Sequence, residues 1–191
     1  GKTIFNNDKR KCINCDQISY LGKDYPVIKN NYQTVFSPQT AYQMTSILEG
    51  VVQRGTAKKI KDLKLNIAGK TGTTNKNTDT WFIGFTSNLL IGVYVGSDNP
   101  ISLGKYETGS KTALPIFKEF IKKVVKKSEA RPFKAAKGTV MMVVDPITGQ
   151  KAKFTSKNTI IEVYKKENVI NGEVLYSNND RLDVNNILKF Y

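Results

Sequence analysis

Lys70-Thr71-Gly72-Thr73 puts an ammonium, two hydroxyls and a bare backbone position into four consecutive residues. An apolar approach, Asn66-Ile67-Ala68-Gly69, leads into it, and a polar loop, Thr74 to Thr78, leads out. Laid out as a short strand, the lysine and hydroxyls can hold a carboxylate. A backbone N–H at the strand edge can hold the charge that develops on a carbonyl oxygen during acyl transfer. The glycine lets a ligand approach the backbone closely. Together these residue types form a compact clamp for an anion and a carbonyl. Lys-[Ser/Thr]-Gly alone is a weak signal, so its surroundings must carry the reading.

The overlapping Gly69-Lys70-Thr71 also fits the end of a phosphate-binding loop, G-x-x-x-x-G-K-[ST]. Its first glycine would fall at position 64, where the chain has Lys64. A lysine does not supply the tight turn needed there, and the residues after Thr71 do not open a helix. Nucleotide binding is set aside on those grounds.

Cys12 and Cys15 are the only cysteines, spaced Cys-Ile-Asn-Cys, and the chain has no histidine. A mononuclear zinc site needs four ligands, so none is expected within this chain. The polar flanks Lys9-Arg10-Lys11 and Asp16-Gln17 do not resemble the helix start of a redox Cys-x-x-Cys. A local disulfide in an oxidising compartment is the leading reading, with two unpaired loop thiols as the alternative.

The 191 residues, 39% hydrophobic and 10% aromatic, suit one domain or slightly more with a real core. No apolar run approaches the ~20 residues of a spanning helix. The start, Gly1-Lys2-Thr3-Ile4-Phe5, has no signal-peptide core and reads as a strand cut from a longer chain. Either a localisation signal lies upstream in a larger protein, or the protein is cytoplasmic. The net charge of +14 favours an anionic partner. Its densest group, Lys118, Lys122, Lys123, Lys126 and Lys127, follows helical spacing and reads first as a solvated helix face. With no zinc finger, helix-turn-helix or RNP-like pattern, no nucleic acid is expected as partner.

Around the four residues the elements fall into order. Residues 1–36 mix short extended stretches with turns: Ile4-Phe5 as a strand, Asn6-Asn7-Asp8 as a turn, and Tyr25-Pro26-Val27-Ile28 as irregular or edge structure. A helix is predicted from Ser37-Pro38, a serine–proline start, with Ala41, Met44, Ile47, Leu48, Val51 and Val52 at helical spacing and Gly55 as the stop. Lys64 to Thr73 is a predicted strand. Trp81 to Phe85 and Leu89 to Val95 are two more, separated by Thr86-Ser87-Asn88, and the three imply an antiparallel meander. Lys111 to Lys127 is a second helix, with Pro115 tolerated in its first turns. Its stripe of Ala113, Ile116, Phe117, Phe120, Ile121, Val124 and Val125 is wide enough to lie on a sheet. Beyond Arg131-Pro132, Val140 to Val144 is a strand and Asp145-Pro146-Ile147-Thr148-Gly149 a turn into a possible hairpin. The polar end, 177–186, reads as loose. The expected division is 1–36, a β/loop segment with Cys-x-x-Cys; 37–127; and 128–191, a C-terminal extension.

The stretches Ser37 to Met44, Gly50 to Ala57, Ala68 to Asn75, Trp81-Phe82-Ile83-Gly84, and Glu107-Thr108-Gly109 through Pro115-Ile116-Phe117 together resemble the class A penicillin-binding proteins, the bifunctional peptidoglycan synthases of the bacterial envelope. Lys-Thr-Gly is the third motif of the serine acyl-transferases that bind penicillin. The resemblance is strong over about residues 35–125 and looser outside. It implies an α/β (α+β) fold, the C-terminal part of a penicillin-binding transpeptidase or β-lactamase-like domain, with a three-strand antiparallel meander flanked by helices and a small β-rich extension. It implies a D,D-transpeptidase with no cofactor. Its partners would be peptidoglycan stem peptides, β-lactams and an anionic envelope surface, and its place the periplasmic face of the bacterial inner membrane. Lys70 would support a second-motif serine and attract the substrate carboxylate; the Thr71 and Thr73 hydroxyls would bind that carboxylate; the Thr73 N–H would form half an oxyanion hole; Gly72 would keep the strand clear.

The family's first two motifs, Ser-x-x-Lys and Ser-x-Asn, precede Lys-Thr-Gly. Here Ser102-Leu103-Gly104-Lys105 and Ser97-Asp98-Asn99 match them by letter but follow it, and Ser102 lies in a loop beyond Pro100 where no helix is expected. Ser156-Lys157-Asn158 and Ser177-Asn178-Asn179 are later still. All are read as coincidences. The expectation is therefore a C-terminal piece of the transpeptidase domain, inactive alone, with nucleophile, glycosyltransferase domain and anchor upstream. Two rivals are a non-catalytic basic domain docking on an anionic polymer, and a serine β-lactamase-like hydrolase.

Overall fold

The structure, a computed structural model, describes residues 10–15, 26–29, 34–126, 131–153, 155–156, 158–170 and 173–174. The expectations placed on Ile4-Phe5, Asn6-Asn7-Asp8, Lys127, Lys157 and 177–186 lie outside them. The chain divides into two compact units, Gly1–Ser37 and Pro38–Tyr191. In the first, β1 (Lys11–Ile13) and β2 (Val27–Lys29) pair antiparallel, Cys12 opposite Ile28. Pro26 falls just before β2, where it removes no ladder bond. Asn14 takes a left-handed φ of 64° in the turn after β1, and the Cys12 and Cys15 sulphurs come together with Cα atoms 5.8 Å apart, a span a disulfide bridges.

The second unit begins with α1 (Pro38–Gln53). Proline opens it because the first turn has no use for its missing N–H. The buried positions are Tyr42, Gly50 and Val52, whereas Met44 and Ile47 are half exposed. The helix was legible, but its apolar stripe does not name its buried face. After Gly55 the chain makes an unforeseen 3₁₀ helix, Lys58–Leu63, which buries Ile60 and Leu63. Lys64 then turns left-handed, so the strand expected from Lys64 starts only at Ala68. The 3₁₀ turn wins because it delivers Ile60, Leu63, Leu65 and Ile67 into one apolar cluster with Phe82 and Phe117.

β3 (Ala68–Thr73), β4 (Thr80–Phe85) and β5 (Leu90–Val95) form the expected antiparallel meander in that order, with Thr71 opposite Phe82 and Thr73 opposite Thr80. Burial along β4 alternates from Thr80 to Gly84, as a half-covered strand requires. Phe82 lies edge-on to Phe117 of α2 (Ala113–Val124), centroids 4.7 Å apart. A Cβ at Gly84 would stand 2.6 Å from Phe82 and 2.8 Å from Phe117, so glycine there makes room for the two rings. Burying each ring contributes about 2–3 kcal/mol. The wide stripe expected of α2 is corrected: Ala113, Leu114, Phe117 and Ile121 are buried, while Ile116, Phe120 and Val124 are about half exposed. A single straight helix turns only one face to a twisted sheet.

β6 (Thr139–Val144) and β7 (Ile160–Lys165) form the extension's hairpin. Asp145 accepts the Ile147 and Thr148 N–H bonds in its turn, and those bonds hold its carboxyl below the ordinary range. The return is longer than a tight hairpin, with Val144 bridging Lys151 on the way. The hairpin rests on α1, where Gln43 donates to the Val163 carbonyl and Arg54 meets the Glu162 carboxylate. β8 (Val169–Ile170) and β9 (Glu173–Val174) form a final short pair.

Candidate functional site

β3 is an edge strand, paired among the described residues only with β4. Which of its backbone groups face that open edge follows from the ladder. Thr74 N–H bonds to Asp79 C=O at 3.0 Å, and Thr86 N–H to Leu89 C=O at 2.8 Å. Bonded and non-bonded pairs alternate along an antiparallel ladder. With Thr73 opposite Thr80 and Thr71 opposite Phe82, both threonines occupy non-bonded pairs. Their N–H and C=O groups therefore point outward, away from β4. The Thr73 N–H, expected as an oxyanion donor, lies on the open edge.

The side chains alternate across the strand. Thr71 and Thr73 share the face of Phe82 and Thr80, and Lys70 and Gly72 share that of Trp81 and Ile83. The lysine and the hydroxyls thus leave opposite faces, which a reading of four adjacent letters does not convey. Lys70 Nζ itself curls back to the outward Thr71 carbonyl at 3.0 Å, at the open edge. Lys70 and Thr73 are exposed, and Thr71 and Gly72 are half-buried. The open edge therefore carries the outward N–H and C=O groups of Thr71 and Thr73, with the Lys70 ammonium on the Thr71 carbonyl and the two hydroxyls on the adjoining face.

Two residues outside the motif hold the hydroxyls. Thr56, in the turn after α1, places its Oγ1 3.0 Å from Thr71 Oγ1. Gly109, before α2, donates its N–H to Thr73 Oγ1 at 3.1 Å. They stand 15 and 36 residues away in sequence, so no local spacing announces them. Both fall in stretches that carry the family resemblance, which was the only signal available, and it assigned them no role.

The loop from Thr74 to Asp79 is equally built. Thr74 Oγ1 accepts the N–H groups of Thr78 and Asp79, both at 3.0 Å. Asp79 in turn accepts from Tyr94 OH at 2.8 Å, and that bond, with some desolvation, raises the Tyr94 hydroxyl above its ordinary pKa. Tyr94 tilts against Trp81, centroids 4.7 Å apart. The β3–β4 connection is held from both ends, which limits fraying of the strand that carries the motif.

The late Ser-x-x-Lys and Ser-x-Asn matches lie elsewhere. Residues 96–112 form no helix or strand. Ser102 Oγ accepts the Gly104 N–H at 3.3 Å, and Lys105 lies over the Tyr106 ring, 5.2 Å from its centroid. Ser102 and Lys105 therefore lack the helix that would set them face to face.

A lysine surface lies on the 3₁₀ helix and α2. Lys118 bonds Asp62 at 2.7 Å and the Lys59 carbonyl at 3.0 Å, joining the two elements, and its hydrogen bond holds the Asp62 carboxyl below the ordinary range. Around that joint Lys58, Lys59, Lys61, Lys64, Lys122 and Lys123 are exposed. Among the described residues no cluster of His, Cys, Asp or Glu could hold a metal, and no helix is long and apolar enough to cross a membrane.

A family model for the penicillin binding protein transpeptidase domain matches residues 16–122, more than half of the chain. Penicillin-binding protein 1A of Rickettsia felis is 38% identical over 189 residues, covering 96% of this chain and 23% of the relative. Penicillin-binding protein 1A of Pseudomonas aeruginosa is 37% identical over 145 residues, covering 71% of this chain and 18% of the relative. The 2.6 Å crystal structure of penicillin-binding protein 1A from Haemophilus influenzae matches with a TM-score of 0.61 at 28% identity, over 75% of this chain and 22% of that chain. This chain thus spans under a quarter of the length of the curated relatives it matches. With a mixed fold and an antiparallel three-strand sheet like that structure's, the chain belongs to the penicillin-binding protein transpeptidase family.

Proposed function

We propose that residues 37–127 are the substrate-holding wall of a serine-type D,D-transpeptidase whose nucleophile lies upstream in a longer parent protein. The observation that carries this reading is the outward Thr73 N–H on an open strand edge, flanked by the Thr71 and Thr73 hydroxyls and the Lys70 ammonium. In the reaction, a serine attacks the penultimate D-Ala carbonyl of a stem peptide, the terminal D-Ala leaves, and an amine of a neighbouring stem takes the acyl group. The Thr73 N–H stabilises the oxyanion of the tetrahedral intermediate. The two hydroxyls and Lys70 bind the terminal carboxylate, and Lys70 supports the second-motif serine. β-Lactams enter by presenting a carboxylate and an acyl carbonyl in the same arrangement. Residues 1–36, with Cys12 and Cys15 as a disulfide, and 128–191 flank this part, and the parent acts at the periplasmic face of the inner membrane.

A fluorescent penicillin is expected to label the full-length parent and not this chain alone. Labelling of Ser102 in the isolated chain would overturn the assignment of the nucleophile. A second element of the reading rests on the joined lysine surface of the 3₁₀ helix and α2, which fits an anionic envelope polymer. Co-sedimentation of this chain with peptidoglycan should fall steeply with salt; salt-insensitive binding would remove that role.

A further inference from the structure

We propose that Gly109 is a positioning residue: its N–H fixes the Thr73 hydroxyl as a donor toward the ligand, so that the edge selects a carboxylate over an uncharged end. The proposal rests on the carboxylate-binding reading above and adds to it a residue and a source of selectivity.

A hydroxyl carries one proton and two lone pairs. At Thr73 the Gly109 N–H occupies one lone pair at 3.1 Å. Among the described residues the proton has no internal acceptor, and the side chain is exposed. A hydroxyl that already accepts from an amide turns its proton away from that amide and donates more strongly. What it then wants is an acceptor. A carboxylate offers only acceptors, whereas an amide or ester end is a weaker acceptor without charge.

The donor is built in rather than incidental. Gly109 is buried, and a Cβ there would run into the carbonyl oxygens of Trp81 and Gly72. Only glycine lets this segment lie so close to the β3–β4 backbone. Its own carbonyl accepts the Leu114 N–H at 2.8 Å, so the start of α2 holds the other end of the residue. Thr112 closes the turn, donating to the Thr108 carbonyl at 3.0 Å and meeting the buried Thr80 hydroxyl at 2.6 Å. The Gly109 amide is therefore tied to the sheet through Thr80 and to the helix through Leu114, and it cannot swing away from Thr73 without breaking both.

The test uses the full-length parent protein and two ligands, a penicillin with its free carboxylate and the methyl ester of the same penicillin. Acylation rate constants are measured for each. Gly109→Ala is expected to slow the free acid roughly tenfold through misplacement of the hydroxyl. It should slow the ester by no more than about twofold, the weight of a minor hydrogen bond. Thr112→Ala removes the hydroxyl without placing a methyl against the buried Thr80 and should lower the acid-to-ester ratio about threefold by loosening the same turn. Thr73→Ser keeps the hydroxyl and should keep the ratio. Melting temperatures establish that each variant folds; if Gly109→Ala does not, Thr112→Ala decides. Equal slowing of both ligands, or an unchanged ratio in the folded variants, overturns the role of Gly109. Thr73→Val separates that failure from a deeper one: a ratio it leaves unchanged means that the hydroxyl does not bind the carboxylate at all, and both readings fall.

Discussion

Lys70-Thr73 and Ser97-Lys105 both match motifs of one family by letter, and the structure treats them in opposite ways. The first is a strand whose neighbours settle each direction: β4 determines which N–H faces out, Thr56 and Gly109 hold the hydroxyls, and the buried Phe82 lies beside Thr71 on the same face. The second is a loop in which Gly104 and Tyr106 take positive φ and the hydroxyl of Ser102 is turned to the Gly104 amide. Residue types become a site only when the backbone around them specifies where each group points. A rigid sheet edge does this, and a glycine-bounded loop does not.

That contrast can be broken at its base. Phe117→Ala should empty the pocket beneath β4 and cost about 3–5 kcal/mol, read as a loss of denaturant midpoint and of the β3 edge together. An intact edge in that variant would separate the site from its scaffold. Thr73→Val should lower penicillin acylation of the full-length parent by about ten- to a hundredfold, because one preorganised donor is lost. A rate near that of the unaltered protein would deny the Thr73 hydroxyl its role.

Smaller effects sharpen the same comparison. Burial raises the Glu49 carboxyl on α1 above its ordinary value of 4.5. A carboxyl raised by folding favours the folded state below its unfolded pKa and loses that contribution as pH climbs through the folded value. Glu49→Gln should therefore raise the melting temperature by about 1–2 °C near neutral pH and leave it unchanged near pH 4. The acylation rate should not move, since only the scaffold changes; a shifted rate would tie α1 to the edge more tightly than the contacts show. Ser102→Ala should have the least effect, a change in acylation within about the ±0.5 kcal/mol of a neutral surface substitution. A large loss there would restore the loop as a site.

Much of the fold was legible because periodicity is local. The meander, both helices, the turn at Asp145 and the strand carrying the motif all follow from spacing and punctuation within a dozen residues. The misses are those of burial and long range. The 3₁₀ turn at Lys58–Leu63, which buries Ile60 and Leu63 in the core, was not foreseen, and it ends in a left-handed Lys64, so the strand expected from Lys64 begins only at Ala68. On both helices the apolar stripe was broader than the face the sheet could cover, leaving Met44, Ile47, Ile116 and Phe120 half exposed.

Residue order alone settled the family, the strand bearing Lys70-Thr71-Gly72-Thr73, and the exclusion of a phosphate-binding loop by Lys64. Those follow from residue identity and short spacing, which the chain carries wherever it folds. Tertiary structure alone decided that the Thr73 N–H faces an open edge, that Lys70 and the hydroxyls leave opposite faces of the strand, and that the Gly109 N–H bonds the Thr73 hydroxyl. Hydrogen-bond direction depends on which strand lies alongside and which segment packs above, and neither is written in the four residues themselves.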